Sequence, residues 1–103
     1  MAYSVIVDST AEKDLYGIVT YISETLLEPS IAQRIYFSIK QQVLSLSSMP
    51  LRYALIDEEP YRSMGVRKIP IENYTAFYIV DEAHLTVHVF RILYNRREWR
   101  HLV

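Results

Sequence analysis

The 103-residue sequence contains no cysteine and only two glycines and four prolines. Without cysteine the chain can form neither a disulfide nor a thiolate metal site, which suits a reducing compartment. No apolar run approaches the ~20 residues that a membrane-spanning helix requires. The first residues lack a basic stretch followed by an apolar one, so no signal peptide is predicted. We therefore expect a cytoplasmic protein.

Apolar residues are plentiful, since 50% of the chain is hydrophobic and 13% is aromatic. A disordered chain would have few aromatic residues and a large net charge, whereas this chain has a net charge of −1. The length and the apolar content suit a single core. We therefore predict one domain that spans residues 1–103.

The small net charge conceals an uneven distribution along the chain. Residues 1–60 carry four basic and eight acidic side chains, a net charge of −4, whereas residues 61–103 carry seven basic and four acidic ones, a net charge of +3. Six of these seven basic residues are arginines, which can bind phosphate or carboxylate through two parallel hydrogen bonds. A solvated surface could explain any single arginine, but their clustering favours a binding surface.

Hydrophobic periodicity predicts a short strand at residues 3–7 and then two amphipathic helices. Ser9 and Glu12 have the spacing of a capping box at the start of the first helix. Its apolar face consists of Ala11, Leu15, Ile18, Ile22 and Leu26. Pro29 suits the first turn of the second helix, and Pro50 follows its end. The apolar stripe of that helix consists of Ala32, Ile35, Ile39, Val43 and Leu46. The short break between the helices predicts an antiparallel hairpin.

The second half of the chain has the β-branched and aromatic composition of strands. After an irregular segment at residues 51–65, strands are predicted at residues 66–71, 74–81 and 85–94, joined by short turns. The resulting order is β-α-α-β-β-β, an α+β fold with a helix hairpin packed on a mainly antiparallel four-stranded sheet. The basic residues 95–103 are predicted to form a short helix or a loose end.

Both faces of the last predicted strand are mostly apolar. In a straight strand one face would hold Leu85, Val87, Val89 and Leu93. The other face would hold Phe90, Ile92 and Tyr94. Because the helix hairpin can cover only one face of the sheet, the other face needs a cover from elsewhere.

The order of these segments and several short motifs resemble the RelE/ParE superfamily of toxins. The first helix contains Ala11-Glu12-Lys13-Asp14-Leu15 followed by Ile18 and Tyr21-Ile22. The last strand runs into Arg91-Ile92-Leu93-Tyr94-Asn95-Arg96-Arg97-Glu98-Trp99, which carries the strongest resemblance. The resemblance implies the toxin of a type II toxin–antitoxin system, of the kind linked to plasmid stabilisation, that arrests bacterial growth. It also implies a cognate antitoxin as partner, and we expect an acidic or amphipathic antitoxin segment to cover the second face of the sheet and the basic end of the chain.

The resemblance leaves the target of the toxin open. Members that cleave messenger RNA on the ribosome usually carry an arginine after the strand tyrosine, where this chain has Thr75. The long helix hairpin is closer to the ParE branch, whose members inhibit DNA gyrase. Our first hypothesis is a ribosome-associated, metal-independent endoribonuclease. The alternatives are a ParE-like inhibitor of gyrase without catalysis and an inactive binding module of the same fold.

RNA cleavage without a metal needs a group that takes the 2′-hydroxyl proton and positive charge that stabilises the phosphoryl oxygens. Arginine can supply only the charge, because its pKa lies above ~12. The phosphate clamps implied by the resemblance are Arg67, Arg91 and Arg97. The proton carrier would be Tyr94 or Glu98. The predicted residues for binding RNA or the protein target are Lys68, Arg96, Trp99 and Arg100.

Ordinary structural roles compete with several of these assignments. Arg67 or Arg91 could pair with a buried carboxylate, in which case the residue belongs to the scaffold. Tyr94 and Trp99 could be packing aromatics, and Trp99 could instead stack on a base or anchor a partner protein.

Neither a metal nor a cofactor is expected. His84 and His88 share a strand face, but no third ligand accompanies them. The acidic run at residues 57–59 lacks a matching carboxylate elsewhere and is predicted to be a solvated loop. The sequence also has no Gly-rich phosphate loop, which argues against a bound nucleotide.

Overall fold

The computed structural model describes residues 2–100 and 102–103. Its helices and strands are β1 Ser4–Val7, α1 Ser9–Thr20, α2 Pro29–Leu44, β2 Arg67–Ile71, β3 Tyr74–Asp81 and β4 Thr86–Tyr94. A π-helical turn, Tyr21–Thr25, continues α1, and two 3-10 turns, Ser45–Ser47 and Pro50–Arg52, follow α2. The α+β architecture and the order β-α-α-β-β-β agree with the sequence-based prediction.

The four strands form one sheet in the order β1-β4-β3-β2. β1 runs parallel to β4, whereas β4 pairs antiparallel with β3, and β3 with β2. The two short turns predicted between β2, β3 and β4 make these strands antiparallel neighbours, while the long connection through both helices allows the parallel pair. The sheet is therefore mainly antiparallel, as expected.

The helix hairpin packs on one face of this sheet and forms the main core. The first helix and its π-helical turn bury Ala11, Leu15 and Ile22, with the partly buried Ile18 between the last two. The second helix buries Ala32, Ile35, Ile39 and Val43 at intervals of three or four residues. The Tyr78 ring lies among them, and its hydroxyl donates to the carbonyl of Pro50 at 2.7 Å. Burial raises the pKa of Tyr78 to about 12, so this hydroxyl remains a donor. No helix in the described part of the chain is long and apolar enough to cross a membrane.

Two helix details differ from the prediction. Asp8 precedes α1 in an extended conformation without a side-chain capping bond, and Ser9 is already helical. The capping box between Ser9 and Glu12 was therefore wrong, because the serine lies one residue inside the helix. Leu26 is 51% exposed rather than buried, since the wider π-helical turn rotates the residues after it away from the α-helical stripe.

A β-bulge changes the faces of the last residues of β4. The register between β3 and β4 shifts by one residue between Phe77 and Tyr78, which leaves Phe90 of β4 as the extra residue. An extra residue reverses the alternation of side chains beyond it. Ile92 therefore lies in the helix-side core, and Leu93 lies on the opposite face. The faces predicted for Ile92 and Leu93 were wrong for this reason, since Ile92 shares the core of Val87 and Val89, and Leu93 shares the cluster of Phe90.

The second face of the sheet is covered by the chain itself. Its buried cluster consists of Ile56, Val66, Phe77 and Leu93. The loop before β2 and the tail (residues 96–100, 102 and 103) pack against this cluster with Tyr61, Trp99, Leu102 and Val103. The expectation that an antitoxin segment covers this cluster was wrong, because these two irregular segments supply the missing layer. The tail is accordingly a packed segment with turns rather than a helix or a loose end.

Candidate target-binding surface

A pocket of about 190 Å³ opens on the second face of the sheet. Strand register builds it, because Lys68 lies opposite Phe77, and Thr75 lies opposite Leu93, and directly opposed residues share a face. The lining residues are Lys68, Thr75, Phe77, Leu93, Tyr94, Asn95, Arg97 and Trp99. We call this the basic pocket. It brings together four of the predicted site residues: Lys68, Tyr94, Arg97 and Trp99.

Lys68 and Arg97 supply the positive charge of the basic pocket. Both are exposed, and among residues 2–100 and 102–103 neither lies within ion-pair distance of a carboxylate. The backbone N–H of Arg97 donates to the carbonyl of Tyr94 at 3.0 Å, which closes a turn directly after β4. This turn brings the exposed Arg97 to the lining of the pocket, where it can bind an anionic group.

A neutral polar pair forms another side of the basic pocket. Thr75 occupies the position where the messenger RNA-cleaving relatives usually have an arginine, and its hydroxyl donates to the side-chain oxygen of Asn95 at 2.6 Å. The backbone N–H of Asn95 donates to the carbonyl of Asn73 at 2.8 Å. The pair therefore joins the end of β4 to the β2–β3 turn and contributes no positive charge.

Arg91 is engaged by protein groups. Its Nε and Nη2 atoms donate to the Asp14 carboxylate at 2.8 and 3.0 Å, and its Nη1 atom donates to the carbonyl of Leu102 at 2.8 Å. The same carboxylate accepts the backbone N–H of Ile92 at 3.0 Å. The Arg91 and Asp14 side chains are only 18% and 14% exposed. This geometry favours the scaffold alternative for Arg91 over a phosphate clamp.

Arg67 also contacts protein groups. Its Nη1 atom donates to the carbonyls of Leu51 and Tyr53. Its cross-strand partner is Tyr78, which is buried in the helix-side core. Arg67 therefore lies on the face of β2 opposite to Lys68, and its partners are carbonyls rather than the carboxylate considered above. The structure does not bring it to the basic pocket.

Trp99 is surrounded by other side chains. The ring centroids of Tyr61 and Phe77 lie 5.2 and 5.5 Å from that of Trp99. The guanidinium of Arg100 lies 4.8 Å from the Trp99 ring centroid in a cation–π contact. These three contacts favour the packing role for Trp99, with the ring as a side wall of the pocket.

The remaining predicted residues lie around the pocket. The Tyr94 ring packs against Tyr74 at a centroid distance of 5.6 Å, and Tyr94 is 40% exposed. Glu98 forms an ion pair with Arg100 at 3.1 Å. Arg100 also pairs with Glu58, and hydrogen bonds to both carboxylates raise the pKa of Arg100. Arg96 is exposed in the turn after β4.

Sequence reasoning missed the residues that hold these side chains. Asp14 was assigned no role, although it lies between the apolar positions Ala11 and Leu15 on the inner side of an amphipathic helix. A carboxylate there needs a partner, and that signal could have revealed the Arg91 contact. No comparable signal marks Glu58 and Tyr61, because the segment that contains them has no periodicity.

A family model described as "ParE toxin of type II toxin-antitoxin system, parDE" matches residues 5–99. The chain belongs to the ParE toxin family. The resemblance to the RelE/ParE superfamily is thereby confirmed, and the chain is the toxin of a type II toxin–antitoxin system. Among curated proteins, none matches the chain significantly by sequence.

Solved structures share the fold of this ParE-family toxin. One belongs to a chromosomal ParDE toxin–antitoxin system from P. aeruginosa, with 24% identity over 90% of this chain and 96% of that chain and a TM-score of 0.73. Another belongs to a RelBE toxin–antitoxin complex from Mycobacterium tuberculosis, with 25% identity, coverages of 91% and 92%, and a TM-score of 0.68. The isolated E. coli RelE toxin gives 20% identity, coverages of 94% and 88%, and a TM-score of 0.58.

Proposed function

We propose that this toxin arrests growth by binding DNA gyrase through the basic pocket, without cleaving RNA. The observation that carries this proposal is the engagement of Arg91 by Asp14 and Leu102. These bonds use three of the five N–H groups of Arg91 and fix its guanidinium against Asp14, and the side chain is only 18% exposed, so Arg91 is poorly placed to bind a scissile phosphate. We choose gyrase as the proposed target because the chain belongs to the ParE toxin family, the branch of the superfamily whose members inhibit gyrase.

The other groups needed for RNA cleavage are also engaged or absent. Arg67 donates to carbonyls on the opposite side of β2, and Glu98 pairs with Arg100. Thr75 supplies no charge where a cleaving relative would have a cation. Transition-state stabilisation needs several charges oriented in advance towards one phosphate. Among the described residues, the lining of the basic pocket supplies two cations for this task, Lys68 and Arg97, which is fewer than the three arginine clamps predicted from the sequence.

The composition of the basic pocket suits a protein partner. Arginine, tyrosine and tryptophan are enriched at the energetic centres of protein interfaces, and the pocket contains Arg97, Tyr94 and Trp99. The net charge of −1 gives the whole molecule no strong positive field. Proteins that bind nucleic acid chiefly through phosphates rely on such a field.

A cognate antitoxin is the second protein partner in this proposal. The P. aeruginosa and M. tuberculosis structures are described as toxin–antitoxin assemblies. We expect a hetero-oligomer in the cytoplasm in which the antitoxin neutralises the basic second half of the chain, where the net charge is +3. Because the tail already covers the second face of the sheet, the antitoxin contacts the pocket rim and other exposed surfaces.

Ribosome-dependent RNA cleavage is the second candidate function. The observation that favours it is the position of Lys68 and Arg97 in one pocket beside Tyr94, with no carboxylate paired to either cation in the described residues. Two such cations can bind a phosphate, and a tyrosine hydroxyl can exchange a proton. This candidate keeps Arg97 and Tyr94 as the active residues.

Expression in a bacterial host without the antitoxin separates the two functions. Pulse labelling with thymidine and with methionine reports DNA synthesis and protein synthesis after induction. We expect DNA synthesis to stop first, with a DNA-damage response, and Arg97→Ala to abolish the arrest. Arg34→Ala is the matched control, because Arg34 lies on α2 and pairs with Glu72 outside the pocket. Loss of protein synthesis before DNA synthesis would support RNA cleavage instead.

A further inference from the structure

The acidic loop before β2 holds the tail through two direct contacts. The guanidinium of Arg100 donates from Nε to Glu58 Oε2 at 2.7 Å and from Nη2 to Glu58 Oε1. The Tyr61 hydroxyl donates to the carbonyl of Arg100. We call these contacts of Glu58 and Tyr61 with Arg100 the clasp. It joins segments that are about 40 residues apart in the sequence.

The loop presents the clasp in a fixed conformation. The backbone N–H of Arg62 donates to the carbonyl of Glu58 at 3.0 Å, and that of Val66 donates to the carbonyl of Tyr61 at 3.0 Å. The Glu59 carboxylate accepts the backbone N–H of Ser63 at 2.9 Å. The acidic run lies in an exposed irregular segment, as predicted, and Glu58 and Glu59 also make the hydrogen bonds described here. Turns of this kind limit the conformational entropy that the clasp must overcome.

The clasp determines where one wall of the basic pocket lies. Trp99 directly precedes Arg100, and its ring packs between Tyr61 and Phe77. Arg97 lies two residues before Trp99 in the same segment. The hydrogen bond from Arg91 to Leu102 and the packing of Leu102 and Val103 also hold the tail. Opening of the clasp would therefore make release of the Trp99 wall more frequent, and the position of Arg97 relative to Lys68 would be less fixed.

We propose that Glu58 and Tyr61 are positioning residues that hold the tail so that the basic pocket keeps its shape. This inference rests on the proposed function, because it takes the basic pocket as the surface that binds the target. Glu58 lies outside the lining of the pocket. Target affinity therefore depends on an ion pair that does not contact the target.

A change in ionic strength distinguishes the contribution of the clasp to tail docking from the contribution of apolar packing. The Arg100 and Glu58 side chains are 49% and 47% exposed, so salt screens their attraction. The hydrogen bond from Arg100 lowers the pKa of Glu58, so the carboxylate is ionised at neutral pH. The contacts of Trp99 with Phe77 and Tyr61 depend much less on salt.

Trp99 is the only tryptophan in the chain, so its fluorescence reports the tail directly. The test compares acrylamide quenching of Trp99 in the full-length protein, in Glu58→Gln and in Glu59→Gln. Both variants remove one negative charge from the same loop, but the carboxylate of Glu59 accepts from Ser63 rather than from Arg100. Far-UV circular dichroism measures global unfolding in parallel.

We expect Glu58→Gln to increase the population of undocked tail about two- to five-fold and thus to raise the quenching of Trp99. Glu59→Gln should match the unmodified protein, because the glutamine carbonyl oxygen can still accept from the backbone N–H of Ser63. About 1 M NaCl, where the screening length is ~3 Å, should raise quenching in the unmodified protein and leave Glu58→Gln nearly unchanged. The thermal midpoint should stay the same in all three proteins. Tyr61→Phe should shift quenching in the same direction, and it serves as the second variant if Glu58→Gln unfolds.

Growth arrest provides the functional readout. Glu58→Gln should need a higher expression level than Glu59→Gln to stop growth equally. Equal quenching of Trp99 in all proteins at low and high salt would show that the clasp does not hold the tail. Increased quenching with unchanged toxicity would overturn the positioning role. If the unmodified toxin stops protein synthesis first, the gyrase proposal fails, while the quenching experiment still decides whether the clasp exists.

Discussion

The seven basic side chains of residues 61–103 divide by what their nitrogen atoms contact. Arg67 and Arg91 donate to protein groups away from the basic pocket. Arg62 and Arg100 pair with exposed carboxylates at the surface. The other three, Lys68, Arg96 and Arg97, have no carboxylate within ion-pair distance in the described part of the chain. Only this last group is available to a partner without breaking an existing contact.

Replacement of Arg91 by alanine should show whether this residue stabilises the fold or belongs to the target-binding surface. The change leaves the Asp14 carboxylate, 14% exposed, without its cation. We expect a loss of about 3 kcal/mol in the free energy of unfolding, measured by urea denaturation. Arg97→Ala, at an exposed position, should change that free energy by less than ~1 kcal/mol.

The double variant Asp14→Ala with Arg91→Ala is the control for this measurement. Because the double change removes both charges, its loss should be smaller than the sum of the two single losses. An Arg91→Ala protein as stable as the parent would contradict the scaffold role and return Arg91 to the candidate site.

At the residue scale, the sequence predicted the cluster of basic side chains but not its division. Lys68, Arg97, Tyr94 and Trp99 line one pocket. Strand alternation places Lys68 on that face, Tyr94 ends β4 at its edge, and the segment after β4 brings Arg97 and Trp99 to it. The separation of Arg91 from this group depends on Asp14, which lies 77 positions earlier in the chain. A contact at that distance follows from tertiary packing, which local spacing does not encode.

At the scale of elements, the helix hairpin contains a residue in an unfavourable backbone conformation. Leu27, between the π-helical turn and α2, has φ 57°, and its side chain is 77% exposed. Glycine adopts this left-handed region without the steric cost that a Cβ atom imposes. We therefore expect Leu27→Gly to raise the free energy of unfolding by about 0.5–1 kcal/mol in urea denaturation.

Leu26→Gly is the matched control for this change. Leu26 is also exposed but has φ −87°, in the right-handed helical region. Glycine at such a position should lower the free energy of unfolding by about 1 kcal/mol. A less stable Leu27→Gly protein would show that the leucine side chain stabilises the hairpin more than its backbone strain destabilises it.

The positions of the helices and strands followed from apolar periodicity, but two local irregularities did not. The π-helical turn displaced Leu26 from the buried stripe, and the bulge at Phe90 exchanged the faces of the residues that follow. In β4 apolar side chains occupy both faces, so a one-residue shift leaves the hydrophobic pattern unchanged. The sequence pattern therefore carries no information about where the bulge lies.

At the scale of the whole molecule, three layers replace the two that the sequence predicted. The helix hairpin covers one face of the sheet, and the loop before β2 together with the tail covers the other. Neither of the latter segments has a helical or strand period, so periodicity could not reveal that they form a layer. The third layer also carries the basic pocket, which links the packing of the tail to the proposed function.

Purified components test the central claim, that this toxin acts on gyrase without cleaving RNA. One reaction measures supercoiling of relaxed plasmid by gyrase with increasing toxin, and a parallel reaction measures the integrity of messenger RNA on translating ribosomes. We expect supercoiling to stop and the RNA to stay intact, with Arg97→Ala inactive and Arg34→Ala fully active. Normal supercoiling together with cleaved messenger RNA would contradict the account.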